Sequence, residues 1–156
     1  FPAMGETVYA SKGSGCWVRV KGEEPKPARV SGITQLSHAY ISACSVNPSD
    51  IDPPESGPAY KLSSLVRKGR KFRMVSDWVH HALVAQGRID AAVDAVMNPW
   101  DIAAVVPCVE EAGGVVTDLE GRRQHIVWSN SLLSSASAAL HEHVLRVLRG
   151  NGLVNR

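Results

Sequence analysis

Helical and extended patterns alternate along the chain from residue 60 to residue 149, and this alternation restricts the fold more than any other feature. Apolar residues at three-to-four spacing predict helices, and short apolar or β-branched runs between them predict strands. The predicted helices cover residues 60–70, 77–86, 101–112 and 137–149. The predicted strands cover residues 72–75, 89–93, 115–118 and 125–128. Alternating helices and strands with short connections predict a layered α/β architecture.

The part of the chain before residue 60 is rich in predicted strands. Residues 7–10 and 16–20 flank Gly13-Ser14-Gly15, which is typical of a hairpin, and residues 39–46 predict a buried strand. Prolines and a glycine recur within residues 47–59 and exclude regular structure there. The sequence therefore predicts a loop between the two parts of the chain.

Composition excludes several classes of protein. With 44% hydrophobic and 21% charged residues, the chain is typical of a globular domain rather than a disordered or fibrous one. Its formal net charge of +2 gives weak attraction to nucleic acid or anionic membranes, so we expect neither as a partner. No apolar stretch approaches the ~20 residues of a membrane helix. The 3 cysteines form no CxxC pair, which predicts neither a disulfide framework nor a cysteine zinc site and fits a reducing cytoplasm.

A carboxylate stands at the start of the predicted helix 101–112. Asp101 follows Asn98-Pro99-Trp100, and the helix ends at Gly113-Gly114. One interpretation is that Asp101 is the N-cap of this helix. The other is a metal or phosphate site, because the N-terminus of a helix attracts anions.

This segment resembles the C-terminal signature of the inositol monophosphatase family, in which a Trp-Asp pair opens a helix that ends in Glu-Ala-Gly-Gly. The Gly-Arg-Ile-Asp run at residues 87–90 and the hairpin at residues 2–15 resemble further motifs of that family. Residues 115–118 and 129–130 correspond to its last two strands, so nearly the whole chain is covered. The resemblance implies a magnesium-dependent phosphatase of small phosphorylated metabolites, with this chain as the C-terminal part of the family's α/β fold.

The resemblance also implies a division of the chain. Residues 1–46 correspond to the end of an N-terminal sheet region, residues 47–59 to a loop, and residues 60–156 to a C-terminal α/β substrate-binding domain. The family's other metal ligands lie on an N-terminal Gly-Glu motif and an Asp-Pro-x-Asp-Gly-Thr motif, and neither is found here. We therefore expect a fragment of a longer enzyme that is inactive in isolation. The alternative is a non-catalytic binding or assembly module.

Two carboxylates gain roles from the resemblance. Asp101 is implied to be a catalytic residue and a ligand of Mg²⁺. Asp94 occupies the position at which inositol-hydrolysing relatives carry a Glu that binds substrate hydroxyls. The alternative for Asp94 is an exposed carboxylate at the end of a strand.

Asp77 and its neighbour Ser76 are the residues predicted to select the substrate. Relatives selective for inositol phosphate have a Gly-Ser/Thr-Ala-Ala run here, whereas Asp77 adds a negative charge. Because a second anion repels phosphate unless the substrate also carries a cation, we expect histidinol phosphate as the substrate. An inositol or related sugar phosphate is the alternative, and Asp77 as a simple helix cap is another interpretation.

Adjacent residues on a helix point in different directions, which bears on His80 and His81. We therefore expect that these two side chains do not bind one ion together and that each is packed or exposed.

Members of the family are commonly dimers, so the resemblance also implies a homodimer.

Overall fold

A five-stranded mixed sheet organises the structure. The computed structural model describes residues 1–45, 60–75 and 78–150. Its strands are β1 Glu6–Ala10, β2 Cys16–Val20, β3 Lys26–Ala28, β4 Tyr40–Ala43, β5 Lys71–Met74, β6 Ala91–Asp94, β7 Val115–Thr117 and β8 Leu132–Ser135. Its α-helices are α1 Leu62–Lys68, α2 Val79–Ala85, α3 Pro99–Glu111 and α4 Ala138–Leu148.

The strands form two sheets within the described ranges. An antiparallel sheet has the order β1-β2-β3, and the larger sheet has the order β5-β4-β6-β8-β7. Strands β5, β4 and β6 run parallel, whereas β8 is antiparallel to both β6 and β7. The larger sheet takes β4 from before residue 46 and its other strands from after residue 60, so it joins the two regions that the sequence divides. That division of domains stays a prediction.

Both faces of the larger sheet are covered, which confirms the layered α/β architecture. Helices α2 and α3 and residues of the smaller sheet form one hydrophobic core with Ala92 of β6. Helices α1 and α4 form the other core with Ala91 and Val93 of the same strand. Successive residues of β6 thus enter opposite cores, as the two-residue period of a strand requires.

Three sequence predictions are wrong in detail. Residues 125–128 are not a strand: Ile126–Trp128 is a 3-10 turn that follows His125 in the left-handed region, at φ 57°. The last strand in the chain is instead β8, which the sequence did not predict. Ser134 and Ser135 interrupt its apolar pattern although both side chains are buried. The apolar spacing of the predicted helix 60–70 also places Val66 inward, but Val66 is 48% exposed.

The hairpin of β1 and β2 is fixed to the end of α3 by one carboxylate. Glu111 accepts hydrogen bonds from the backbone N–H groups of Gly13 at 2.8 Å and Gly15 at 2.9 Å. Both glycines have φ near +80°, a region that L side chains rarely adopt. These two hydrogen bonds hold the pKa of Glu111 below its ordinary value. Glu111 therefore has a structural role.

A helix that spans a membrane needs about 20 predominantly apolar residues. None of the described helices is long and apolar enough to cross a lipid bilayer.

Candidate active site

The candidate site lies at the carboxyl end of the parallel strands. Strands β4 and β6 end at Ala43 and Asp94, which lie at the same edge of the sheet as the end of β5. Ligands of open α/β sheets bind outside this edge. Ser76 and Asp77, the residues predicted to select the substrate, lie outside the described residues.

Asp101 is the third residue of α3 rather than its N-cap, and it caps the helix from that position as the acidic member of a capping box. Asn98 is the N-cap, and Pro99 takes the first helical position, for which its fixed φ is suited. The Oδ2 atom of Asp101 accepts a hydrogen bond from the Asn98 N–H at 3.2 Å. Its Oδ1 atom has no hydrogen-bond donor among the described residues. Asp101 is half-buried, with one carboxylate oxygen oriented by the chain and the other available for a ligand.

The start of α3 offers less to a phosphate than the sequence predicts. Pro99 has no N–H, and the N–H groups of Asp101 and Ile102 are donated to the Asn98 carbonyl at 3.0 and 3.2 Å. Of the first four helical residues, Trp100 alone keeps an N–H that has no acceptor in the described structure. A bound anion would therefore depend mainly on a metal ion at Asp101 rather than on the helix.

Asp94 is not the exposed strand-end carboxylate that the sequence left as an alternative. It is 5% exposed, at the last position of β6. Its Oδ1 atom accepts a hydrogen bond from the Cys44 N–H at 3.3 Å. Its Oδ2 atom lies 2.8 Å from Nε2 of His80 and 3.1 Å from Nε2 of His81.

The prediction that His80 and His81 diverge is therefore wrong. Both side chains are fully buried, and their Nε2 atoms converge on one oxygen. The two ring centroids lie 4.3 Å apart with the planes tilted by 58°. Backbone directions separate adjacent helical residues, but rotation of two long side chains toward one buried carboxylate overcomes that separation.

Two serines hold the opposite ring nitrogens. Nδ1 of His80 lies 2.9 Å from the Ser42 hydroxyl, and Nδ1 of His81 lies 2.8 Å from the Ser134 hydroxyl. Ser42 and Ser134 are the register partners of Ala92 on its two sides, so the three form a row across β4, β6 and β8. Asp94 lies on the same face, two residues along β6. We call the five residues His80, His81, Asp94, Ser42 and Ser134 the histidine cluster.

Hydrogen-bond geometry and burial define the charge of this cluster. Burial alone raises the pKa of Asp94, but the hydrogen bonds from His80 and His81 outweigh it and hold the pKa below its usual value. Burial lowers the pKa of His81 to about 4, against the opposing effect of Asp94. An ionised Asp94 accepts a hydrogen bond from each Nε2–H group, and the serine hydroxyls donate to Nδ1. The cluster then carries one buried negative charge.

A third buried histidine, His141, lies on the other face of the larger sheet. Nε2 of His141 is 2.8 Å from the Thr117 hydroxyl, and its Nδ1 is 3.1 Å from the Ser135 hydroxyl. Thr117 donates its own proton to the Asp118 carbonyl at 2.7 Å, so it accepts from Nε2–H of His141. Burial lowers the pKa of His141 to about 4.

A cleft opens near the end of β6, and neither Asp101 nor a residue of the histidine cluster lines it. Its volume is about 620 Å³, and its wall includes Ala95, which directly follows Asp94. Polar groups of Tyr60, Asn130 and Arg122 also line it. This cleft is large enough for a small phosphorylated metabolite.

The fold is that of a known class of protein. The family model described as the inositol monophosphatase family matches residues 1–152. The chain belongs to this family.

Individual relatives agree with that assignment. The chain is 37% identical over 155 residues to a histidinol-phosphatase of Chlorobaculum parvum, covering 97% of this chain and 54% of the relative. It is 32% identical over 148 residues to a fructose-1,6-bisphosphatase/inositol-1-monophosphatase of Thermotoga maritima, covering 94% and 52%. A solved inositol monophosphatase structure from Thermotoga maritima superposes with a TM-score of 0.76 at 31% identity, covering 96% of this chain and 53% of that one. The chain thus spans about half the length of these relatives.

Proposed function

We propose that this chain is the C-terminal part of a magnesium-dependent phosphatase, a phosphoric monoester hydrolase that acts on small phosphorylated metabolites. The observation that carries the proposal is the carboxylate of Asp101. It lies at the carboxyl end of the parallel strands of the mixed sheet, with one oxygen oriented by Asn98 and the other without a donor among the described residues. The family and its phosphatase relatives support the same reaction.

The donor chemistry of Asp101 fits Mg²⁺. Magnesium prefers oxygen ligands and is usually held by one or two carboxylates together with water and phosphate oxygens. When bound, the ion supplies an activated water and neutralises phosphate oxygens. Asp101 would hold it through Oδ1, while the Asn98 N–H keeps the carboxylate from rotating. The Trp100 N–H lies one residue away and would add a donor for an anionic group.

We propose histidinol phosphate as the preferred substrate. It carries an ammonium and an imidazole, both of which suit an anionic pocket, and Asp94 would contribute its negative charge while no cation occupies the histidine cluster. Asp77 follows the end of β5 in the sequence and would add a second carboxylate. The relative from Chlorobaculum parvum is a histidinol-phosphatase. An inositol or related sugar phosphate is the alternative, because the relative from Thermotoga maritima carries an inositol-1-monophosphatase name.

Phosphate release by the complete protein that contains this chain tests the reaction. Asp101→Asn removes a metal-binding charge and should lower kcat by at least about 100-fold, since a catalytic metal supplies several kcal/mol of transition-state stabilisation. Glu142→Gln, an exposed change on α4, is the matched control and should leave kcat unchanged. Full activity of Asp101→Asn would exclude the role given to Asp101. A wild-type protein that releases no phosphate would favour a binding or assembly module.

The substrate is tested with a second variant. Asp77→Ala should reduce kcat/KM for histidinol phosphate at least about tenfold more than for inositol 1-phosphate, because only the former offers a cation to this carboxylate. Equal losses for the two substrates would contradict cation recognition by Asp77.

A further inference from the structure

We propose that His80, His81 and Asp94 form a second metal site, which binds a transition-metal dication such as Zn²⁺ or Co²⁺ and is separate from Asp101. One ligand atom from each residue lies within 4.8 Å of the other two. The atoms are two imidazole nitrogens and one carboxylate oxygen, and all three side chains are buried. This inference does not depend on the proposed phosphatase reaction.

The distances within the cluster are close to those of a metal centre. Zinc binds imidazole nitrogen and carboxylate oxygen at about 2.0–2.2 Å, so tetrahedral geometry separates neighbouring ligand atoms by about 3.4 Å. The two Nε2 atoms lie 2.8 and 3.1 Å from Asp94 Oδ2. A widening of about 0.3–0.6 Å therefore admits the ion, and side-chain rotation alone can supply it. Three protein ligands leave the fourth position to water, as in catalytic zinc sites.

The donor set selects against magnesium. Mg²⁺ prefers oxygen ligands in an octahedron, whereas imidazole nitrogens suit zinc, cobalt and similar ions. The histidine cluster and Asp101 would therefore bind different metals, although one short connection of residues 95–98 joins β6 to α3.

The serines allow the imidazoles to change from donors to ligands without a change in charge. For metal binding, the proton on Nε2 of each neutral histidine must move to Nδ1, which leaves the Nε2 lone pair for the ion. The hydroxyls of Ser42 and Ser134 then rotate and accept a hydrogen bond instead of donating one. Such contacts to the second ring nitrogen fix the orientation of metal-binding histidines.

Binding of one ion would link α2 to β6. His80 and His81 lie in the first turn of α2, and Asp94 ends β6. An ion that binds only the folded chain raises its stability with concentration. We therefore expect Zn²⁺ to raise the temperature of thermal unfolding.

Cobalt spectroscopy on the wild-type chain is the first test. One equivalent of Co²⁺ should produce visible absorption bands of a tetrahedral site, which Zn²⁺ abolishes and a 100-fold excess of Mg²⁺ leaves unchanged. Proton NMR should then show that Zn²⁺ shifts the ring signals of His80 and His81 but not those of His141. Absence of the cobalt bands, or a response confined to other histidines, would overturn the proposal without any variant.

Two conservative variants locate the ligands. His81→Gln keeps an N–H that can be donated to Asp94 but loses the imidazole, and Asp94→Asn keeps the shape but loses the charge. Each should weaken Co²⁺ binding by at least about tenfold, as loss of a ligand does. His141→Gln and the exposed Glu142→Gln are the matched controls and should bind Co²⁺ as the wild type does. Unchanged binding by both cluster variants, with the fold checked by circular dichroism, would also overturn the site.

Discussion

The two buried histidine environments lie on opposite faces of one sheet, and they differ in the partner that the imidazoles meet. In the histidine cluster a carboxylate accepts from two rings, whereas His141 has only the hydroxyls of Thr117 and Ser135. Burial nevertheless lowers the pKa of His81 and of His141 to about 4 in both. Burial thus favours the neutral form of His81 and of His141, and the Asp94 carboxylate gives one of the two environments a charge.

The largest effect should come from removing the shared acceptor. Asp94→Ala leaves two buried Nε2–H groups without partners, whereas Thr117→Val leaves one. Each buried donor without an acceptor costs about 1–3 kcal/mol. We therefore expect the free energy of unfolding to fall by about 4 kcal/mol for Asp94→Ala and by about 2 kcal/mol for Thr117→Val. Urea denaturation measures both. Equal losses of stability for Thr117→Val and Asp94→Ala would show that the Asp94 carboxylate stabilises its environment no more than the Thr117 hydroxyl stabilises the other.

A pH series tests the environment of His141, in which the imidazole meets hydroxyls rather than a carboxylate. The folded-state pKa of His141 is about 4, below its unfolded value of 6.5, so the unfolded chain binds an extra proton between these values. The stability from this group is complete above pH 6.5 and is lost as the pH falls toward 4. At pH 5 the loss from this group should reach about 2 kcal/mol, and His141→Asn should reduce the total loss by that amount while the contribution of His81, whose pKa is also about 4, stays. Urea midpoints from pH 7 to 4.5 give both slopes, and identical slopes would disprove this assignment.

Removal of a serine hydroxyl should give the smallest difference in stability between the two histidine environments. Ser42→Ala and Ser135→Ala each remove a donor to a buried Nδ1 atom, and we expect losses of about 1.5 and about 1 kcal/mol in stability. The first is larger because the carboxylate at the other end of the His80 ring polarises it and strengthens Nδ1 as an acceptor. Thermal unfolding of the two variants at pH 7 measures the difference. The reverse order would mean that the carboxylate does not act through the ring.

Local patterns predicted the helices and most strands, because apolar periodicity reports burial directly. The N-cap could also have been predicted, since Asn98 precedes a proline that suits the first helical position. The apolar spacing instead placed the start of the helix at Asp101. The histidine cluster could not be predicted in this way. It depends on the register of β4, β6 and β8, which places Ser42 and Ser134 beside Ala92 although they lie far apart in the sequence. A one-residue shift in any of these pairings would send the serines to the opposite core.

The contacts of Glu111 with Gly13 and Gly15 have a consequence for the order in which the chain folds. The carboxylate follows Gly13 by 98 residues, so a growing chain exposes the hairpin long before its anchor is synthesised. At about 5–20 residues per second, the ribosome needs about 5–20 s to cover that distance. During this interval the three-stranded sheet has no attachment to α3, and the core that buries Cys16 and Ala28 has not yet formed. Docking of the first strands is therefore a late event in the biogenesis of this protein.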